Sequence, residues 1–457
     1  MMEKKVYELI DSYRDDFTKM LQRWVRIPSV KSEAEDGAPF GREIRNMLDT
    51  AMEDARKLGF AVRDFDGYAC DITLGEAEEK IAVLGHLDVV PVGDGWKYPP
   101  FGAQRVGDRV YGRGTGDDKG PALAALFAMR AIREAGVTLK RAIRLILGCD
   151  EESGWADMDW YCDHAKMPDI GFSPDASFPL INTEKGMIHA FARAKLSPEG
   201  LQVKRLAVGE RLNVIPGEAE ALVEGGLALA EKVTAFAAKT GLPYEAEITP
   251  EGVLLKAHGI PGHSAYPFEC RNANGMLLIL LRELGAWGAL KTLADAYPME
   301  HDGAALVIAC KDELSGPLTC NMGILRINGG ELVASLDCRC PVSADLSALT
   351  EQIRAHLPGF RLENLSTTVP HHVPADSELV PALLDAWHEE TGLPAIPQST
   401  GGGTYAKVLK QGVAFGAGFP GDEDLAHQAN EYVELPKMIK AAKIYANALL
   451  RLCAEET

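Results

Sequence analysis

Two adjacent aspartates, Asp117 and Asp118, follow a turn at 112–116 that has glycine at three of its five positions. Such a density of glycine marks a backbone that bends tightly or approaches another group closely. Pro121 and the almost wholly apolar run 122–134 then predict a buried helix, because proline is well suited to the first turn. The pattern therefore places two carboxylates at the start of a buried helix.

A helix cap is the ordinary structural explanation for one such aspartate, but it does not account for two side by side. A phosphate-binding loop fits poorly, because the G-x-x-x-x-G-K-[ST] pattern is absent and the carboxylates would repel phosphate. A metal site fits better, since divalent cations take carboxylate oxygens as ligands.

Further side chains that could bind a cation stand where predicted elements end. Asp88 lies two residues after His86 and could accept the second ring N–H, which would fix the tautomer. Glu151 and Glu152 are adjacent and point in different directions, so one can bind a cation while the other acts as a base. Taken singly, each has an ordinary structural explanation as a turn or capping residue. The full set, in chain order, is His86, Asp88, Glu151, Glu152, Asp175 and His427.

These residues are predicted to be held by an α/β framework. Short continuous apolar runs at 80–85 and 141–148 predict buried strands, and they alternate with helices predicted at 3–26, 39–58 and 122–134. Alternating helices and buried strands favour a largely parallel sheet. In such sheets ligands bind beyond the carboxyl ends of the strands, which is where the candidate residues lie.

The pattern changes near residue 186, where strand-like stretches are joined by tight turns, as at Asn328-Gly329-Gly330. Helices are predicted at about 226–240, 272–287 and 345–356, which indicates an α+β region. A helix at 379–391 and a closing helix at 435–453 return to the first pattern. We therefore predict a catalytic domain formed by 1–185 and 379–457, interrupted by an inserted domain at 186–378.

The composition limits the classes of partner. The chain has 457 residues, 46% of them hydrophobic, and a formal net charge of −19, which disfavours nucleic acid and anionic membrane surfaces. No apolar run approaches the length of a membrane span. The N-terminal stretch predicts an amphipathic helix and not a signal peptide. The nine scattered cysteines then predict reduced thiols and a cytoplasmic protein.

The motifs together resemble a known family, the co-catalytic metallopeptidases that include carboxypeptidase G, aminoacylase, succinyl-diaminopimelate desuccinylase and the carnosinases. Within it, the sequence is most similar to the PepV-type dipeptidases. The resemblance runs along the whole chain in the expected order. Its motifs are Gly85–Pro91, Gly112–Gly120, Asp150–Gly154, Ser173–Asp175, Gly401–Tyr405 and His427–Glu431.

The resemblance implies a two-metal centre. Asp117 matches the aspartate that bridges both cations, because it stands two residues before Lys-Gly. His86 and Asp175 would complete one metal site, and Glu152 and His427 the other. The resemblance also implies a cis peptide bond between Asp117 and the residue that follows it.

Roles in catalysis and substrate binding follow from the same resemblance. Glu151 matches the catalytic base, Asp88 the residue that orients its neighbouring histidine, and His263 a histidine that reaches over the site to the tetrahedral intermediate. The residues that match substrate-binding positions are Asn213, Arg339, Gly402 and Gly403, the two glycines through backbone that approaches the substrate carboxylate.

The implied fold is an α/β, two-metal aminopeptidase-like catalytic domain with a mainly parallel sheet, interrupted by an α+β lid domain that closes over the substrate. The implied activity is hydrolysis of small unblocked dipeptides, with β-alanyl-histidine compounds among the candidates. Zinc is the expected metal, with manganese and cobalt as alternatives. The long insert implies a monomer. The alternatives are an N-acyl-amino-acid deacylase or desuccinylase with the same centre, and a non-catalytic binding protein.

Overall fold

The computed structural model describes residues 2–297 and 299–455 and divides the chain into two compact units. The first unit is formed by Met1–Asn182, His372–Gln398 and Gly403–Thr457. The second unit is formed by Thr183–His371 and Ser399–Gly402. The functional domain limits at 185/186 and 378/379, and the movement of a lid, remain predictions.

Helices surround the sheet of the first unit. Lys119–Ala135 is buried along almost its whole length, packs against the first and last helices of the unit, and ends at Gly136 in the left-handed conformation. The predicted helices at 379–391 and 435–453 are confirmed with these bounds. The helices of the unit are Met2–Ser12, Arg14–Val25, Arg42–Lys57, Lys119–Ala135, Ala156–His164, Leu379–Thr391 and Leu435–Cys453, with a 3-10 turn at Tyr405–Val408.

The helix predicted at 3–26 is instead two helices that meet at Tyr13. The Tyr13 ring packs edge-on against Phe127, with 5.8 Å between ring centroids, and its hydroxyl donates to Glu134. Packing of this side chain against the buried helix therefore decides where the first helix ends, and helical periodicity alone does not show it.

The sheet of the first unit is parallel at its centre. Lys80–His86 pairs in parallel with Ala142–Gly148 and with Ile170–Ser173, which pairs in parallel with Gln411–Ala414. One edge is antiparallel because Ala61–Phe65 and Ala69–Leu74 form a hairpin. The expected parallel sheet is thus confirmed for the strands whose ends carry the candidate residues, within a sheet that is mixed overall. Three further short strands, Ile181–Glu184, His371–His372 and Gln398–Thr400, lie where the chain passes from one unit to the other. In the first unit, Ala176–Ser177 also pairs with Ala417–Gly418.

A small three-stranded sheet in the first unit joins distant parts of the chain. Arg109–Tyr111 lies between Gln104–Val106 and Tyr432–Glu434, and both pairings are antiparallel. Because the glycine turn follows Tyr111 and the His427 segment precedes Tyr432, this pairing brings the two segments together.

The second unit is an antiparallel sheet with helices, as the α+β pattern predicts. Its longest pairing joins Gly186–Lys195 to Glu331–Cys340. The predicted helix 272–287 ends earlier, and a second helix begins after Gly288, whose φ is 57°. The helices are Leu227–Thr240, Ala273–Glu283, Ala289–Ala296 and Leu346–His356, with 3-10 turns at Pro267–Glu269 and Ala304–Leu306.

Strands of the second unit follow a non-sequential order. From one edge to the other, the main sheet runs Tyr244–Thr249, Gly252–His258, Glu218–Val223, Val203–Val208, Leu325–Asn328, Glu331–Cys340, Gly186–Lys195 and Arg361–Thr368, and Thr319–Asn321 also pairs with Glu331–Cys340. Two-stranded ribbons are formed by Val214–Ile215 with Gly262–His263 and by Lys311–Asp312 with Gly316–Pro317.

A charged network is buried in this second unit. The carboxylate of Asp337 is fully buried and accepts hydrogen bonds from Ser264 Oγ at 2.7 Å and Arg339 Nη2 at 2.9 Å. His189 Nε2 lies 3.0 Å from its other oxygen. Burial alone would raise the pKa of Asp337. The hydrogen bond from His189 and the charge of Arg339 outweigh burial and lower this pKa to about 2.

This depressed pKa predicts a specific loss of stability in acid. An unfolded aspartate has a pKa of about 3.9, so the stability contributed by ionised Asp337 is complete above that value and is lost as the pH falls toward about 2. Between about pH 5 and pH 2, the free energy of unfolding of the wild type should fall by about 2 kcal/mol more than that of Asp337→Asn. Urea titrations at a series of pH values measure this difference, and parallel pH profiles would contradict it.

Candidate metal centre

The carboxylate of Asp117 faces two histidines from opposite ends of the chain. Its Oδ1 lies 2.9 Å from His86 Nε2, and its Oδ2 lies 3.1 Å from His427 Nε2. Asp117 extends from the residue before the helix cap, His86 ends a central strand, and His427 lies in a loop with a positive φ of 63°. One carboxylate thus presents a separate oxygen to each imidazole, which is the arrangement of a bridging ligand.

Two further carboxylates complete the cluster. Asp175 Oδ2 lies 3.6 Å from His86 Nε2, and Glu152 Oε2 lies 2.9 Å from His427 Nε2. The structure therefore brings all five predicted ligands together within the first unit. Ligand atoms of His86, Glu151 and Asp175 also lie within 4.8 Å of one another, so the predicted base adjoins the cluster.

The charges of these groups fit divalent cations. Burial, together with repulsion by Asp117, raises the pKa of Glu152 to about 7, and burial also raises the pKa of Glu151 and Asp175. Hydrogen bonds to Asp117 and Glu152 raise the pKa of His427 to about 10. The crowded carboxylates and the imidazoles thus favour positive charge at this point, and two divalent cations at the same oxygen and nitrogen donors would supply it.

The Asp117–Asp118 peptide bond is cis, as the resemblance implied. Asp118 itself is fully buried, and its Oδ2 accepts a hydrogen bond from the backbone N–H of His86 at 3.2 Å. The two adjacent aspartates therefore have different environments: one faces the imidazoles, and the other binds the end of the strand that carries one of them.

Asp88 makes more contacts than the sequence indicated. His86 Nδ1 lies 3.0 Å from the backbone carbonyl oxygen of Asp88 and 3.4 Å from its carboxylate, so the carbonyl is the nearer acceptor. The carboxylate accepts hydrogen bonds from the backbone N–H groups of Glu151 and Glu152, each at 3.1 Å. It therefore holds the turn from which the predicted base and one predicted ligand extend.

Three residues near this turn had no predicted role. Trp155, which has a positive φ of 61°, donates from its indole N–H to the carbonyl of Glu151 at 2.9 Å. Asp157 accepts hydrogen bonds from the Tyr405 hydroxyl and from the backbone N–H of Cys149. The motif Gly401–Tyr405 contains Tyr405 and was the available signal for it. A single Trp before a helix, or a single Asp in its first turn, carries no such signal.

The residues predicted to bind substrate are arranged as follows. Within the second unit, Asn213 Nδ2 lies 3.4 Å from His263 Nε2, and Arg339 Nη1 donates to the carbonyl of Gly401 at 2.9 Å. Gly402 belongs to the same unit, whereas Gly403 belongs to the first. Their roles toward a substrate remain predictions.

A carboxylate that stands between two histidines, one of them at the end of a central strand of a mixed sheet, is the arrangement of the co-catalytic metallohydrolases. The family comparison is specific: residues 82–451 match the model of peptidase family M20/M25/M40, and the chain belongs to that family. A protein of Bacillus subtilis named "Putative dipeptidase YtjP" is 37% identical over 454 residues, which covers 96% of this chain and 97% of the relative.

Solved structures share the fold. Human carnosine dipeptidase 1 gives a TM-score of 0.59 at 18% identity, with 98% of this chain and 99% of that chain covered. The dipeptidase Dug1p of Saccharomyces cerevisiae gives a TM-score of 0.61 at 16% identity, with 98% of each chain covered. At these identities the likeness establishes the fold, and the site rests on the geometry above.

Replacing Asp88 by asparagine should displace the Glu151–Glu152 turn and leave His86 in place. The amide would oppose one of the two backbone N–H groups with its own N–H₂, whereas His86 keeps the backbone carbonyl. We expect turnover to fall roughly 10- to 100-fold, as when other residues that support metal ligands are changed. A crystal structure of the variant, with kinetics, measures both effects. A rotated His86 ring beside an unmoved turn would contradict the assignment.

Proposed function

We propose that this chain is a metal-dependent dipeptidase that hydrolyses small unblocked dipeptides. The observation that carries the proposal is the carboxylate of Asp117, which faces His86 and His427 with one oxygen each. Membership of peptidase family M20/M25/M40, and a relative of nearly full coverage that is named a dipeptidase, support peptide-bond hydrolysis.

Two divalent cations would share Asp117, one with His86 and Asp175 and the other with Glu152 and His427. Imidazole and carboxylate donors suit zinc, which we expect, and they also accept manganese or cobalt. When bound, such a pair of cations polarises the scissile carbonyl and lowers the pKa of a water molecule.

Glu151 would act as the base. Its backbone is fixed on both sides, because its N–H donates to Asp88 and its carbonyl accepts from Trp155. Burial, together with repulsion by Asp175, raises the pKa of the Glu151 side chain above its usual range. A carboxylate of raised basicity can take a proton from the attacking water and deliver it to the leaving amine.

Residues of the second unit, together with Gly403 of the first, would hold the dipeptide. Arg339 offers a planar, permanently charged fork suited to the terminal carboxylate, and the backbone at Gly402 and Gly403 would approach the same group. Asn213 and His263 would contact the scissile peptide group, with His263 stabilising the oxyanion. These roles require the second unit to act as a lid.

The proposed setting is a cytoplasmic monomer. All nine cysteines lie in the described part of the chain and are free thiols, which supports a reducing compartment. Over residues 2–297 and 299–455, no helix is both long and apolar enough to span a membrane. The net charge of −19 supports the expectation that neither nucleic acid nor an anionic membrane is a partner.

A substrate panel tests the proposal. Purified protein is freed of metal, reloaded with zinc, manganese or cobalt, and assayed on free dipeptides, carnosine, N-acetylated and N-succinylated amino acids. Metal-dependent hydrolysis of free dipeptides is the expected result. Preference for the acylated amino acids would instead identify a deacylase. Metal binding without hydrolysis of any substrate would favour a binding protein.

The adjacent glutamates should separate catalysis from metal binding. Glu151→Gln preserves shape but removes the base, so turnover should fall roughly 10²- to 10⁴-fold with two cations retained. Glu152→Gln replaces a charged ligand by a neutral amide, so one cation should bind more weakly and added metal should restore part of the activity. Metal content by mass spectrometry and kinetics over a metal titration measure both. The opposite pattern would exchange the two roles.

Loss of Arg339 should weaken recognition of the substrate carboxylate. For Arg339→Ala, KM for a free dipeptide should rise roughly 10- to 100-fold, because a charge-assisted hydrogen bond contributes about 1.5–3 kcal/mol. KM for the corresponding dipeptide amide should change little, and both cations should remain. Arg326→Ala, an exposed change in the neighbouring strand Leu325–Asn328, is the control. Equal losses on both substrates would contradict the assignment.

A further inference from the structure

Glu431 is buried beside the metal centre and contacts none of the predicted ligands through their side chains. It is 1% exposed, and its partners are in the glycine turn and at the backbone N–H of Asp117. We infer that Glu431 is a positioning residue: its carboxylate fixes the backbone that aims Asp117 at His86 and His427. The inference rests on the proposed function only in taking Asp117 as a metal ligand.

The hydrogen bonds of this carboxylate converge from several consecutive residues. Its Oε1 accepts from the backbone N–H of Gly116 at 2.8 Å and of Asp117 at 3.3 Å. Its Oε2 accepts from the backbone N–H of Gly114 at 3.1 Å and from Arg113 Nη1 at 2.8 Å. A concave row of backbone N–H groups binds anions, and here the anion is a side chain of the same protein.

At two positions of the turn, Gly112 and Gly114, a side chain would lie too close to neighbouring atoms. Gly114 has a φ of 84°, and a Cβ atom there would lie 2.8 Å from Val89 Cγ1. A Cβ atom at Gly112 would lie 2.5 Å from Val25 Cγ1. Glycine therefore permits a close-packed turn with inward N–H groups, and Glu431 stabilises that conformation.

Charge explains why a carboxylate can be used here. The centre already contains the carboxylates of Asp117, Glu152 and Asp175, and another uncompensated negative charge would be costly. The side chains of Arg113 and Glu431 are each 2% exposed and form a buried ion pair at 2.8 Å. The positive charge of Arg113 thus balances the added negative charge.

The same contacts connect the turn with the segment that carries His427. Gly112 N–H donates to the backbone carbonyl of Glu431 at 2.9 Å, and Arg113 Nη1 donates to the carbonyl of Gln428 at 3.2 Å. Asp117 and His427 would ligate one cation, although they are far apart in the sequence. Through these bonds the Glu431 segment fixes the position of Asp117 relative to His427.

Glu431→Gln should therefore weaken metal binding. The amide N–H₂ would face either the Gly114 N–H and Arg113 or the Gly116 and Asp117 N–H groups, so the turn must move. We expect zinc affinity of at least one site to fall 10- to 100-fold, which is typical when a residue that supports a metal ligand is changed.

The test is calorimetric titration of the metal-free, folded full-length protein with zinc chloride, well below its unfolding temperature. The wild type should bind two ions per chain. Glu434→Gln is the matched control, because Glu434 lies in the same segment but pairs at the surface with Arg109 and Lys437. The control should bind zinc with the affinity of the wild type. The Glu431 variant should bind at least one zinc ion more weakly.

Further outcomes keep the two proposals distinct. Two zinc ions bound by Glu431→Gln with unchanged affinity would overturn the inference and leave the dipeptidase proposal intact. A wild type that binds no zinc, manganese or cobalt would overturn the metal-dependent function itself.

If Glu431→Gln does not fold, Glu431→Asp decides: it keeps the charge but is too short to reach all four donors. Its zinc affinity should fall although the metal-free variant remains folded at the temperature of the titration, and unchanged affinity would reject the inference.

Discussion

The candidate centre depends on one partly buried carboxylate, Asp117, whose two oxygens face two imidazoles. An ionised carboxylate away from water is costly unless charged or hydrogen-bonding partners compensate it. Hydrogen bonds from His427 and His86 outweigh the effect of burial and hold the pKa of Asp117 far below its usual range. The strand and the loop described below bring His86 and His427 to this carboxylate. A cation pair at the same donors would satisfy the requirement and also provide the reactivity.

The elements that meet this requirement come from three distant parts of the chain. His86 ends a central parallel strand, Asp117 stands just before the cap of the helix Lys119–Ala135, and His427 lies in a loop next to a small antiparallel sheet. Carboxylates that bind no cation hold the backbone of these elements: Asp88 beneath the Glu151–Glu152 turn and Glu431 beneath the glycine turn. The candidate centre therefore consists of the predicted ligands together with anionic side chains that bind backbone N–H groups, as is common around metal sites.

Much of this could be predicted from sequence, because strand ends and a glycine turn leave local patterns. The pairing of Asp117 with His86 was implied by the family resemblance and its motif order, and the bounds of the last two helices followed from apolar periodicity. The break at Tyr13 could not be predicted, because it follows from packing against Phe127 far along the chain. The hydrogen bonds from the Glu151 and Glu152 N–H groups to the Asp88 carboxylate were also not predicted. A His-x-Asp pattern indicates a side-chain partner for the imidazole, whereas the acceptor nearest to His86 Nδ1 is the backbone carbonyl of Asp88. Backbone hydrogen bonds between distant segments leave no signature in residue types.

The central claim is that two cations share Asp117, and anomalous diffraction tests it most directly. Crystals of the zinc-loaded protein, measured on both sides of the zinc absorption edge, would locate each ion without reference to activity. The account predicts two anomalous peaks per chain, each about 2.0–2.2 Å from a different oxygen of Asp117. One peak should lie near His86 and Asp175, the other near Glu152 and His427. A single ion, or two ions of which neither contacts Asp117, would contradict the account.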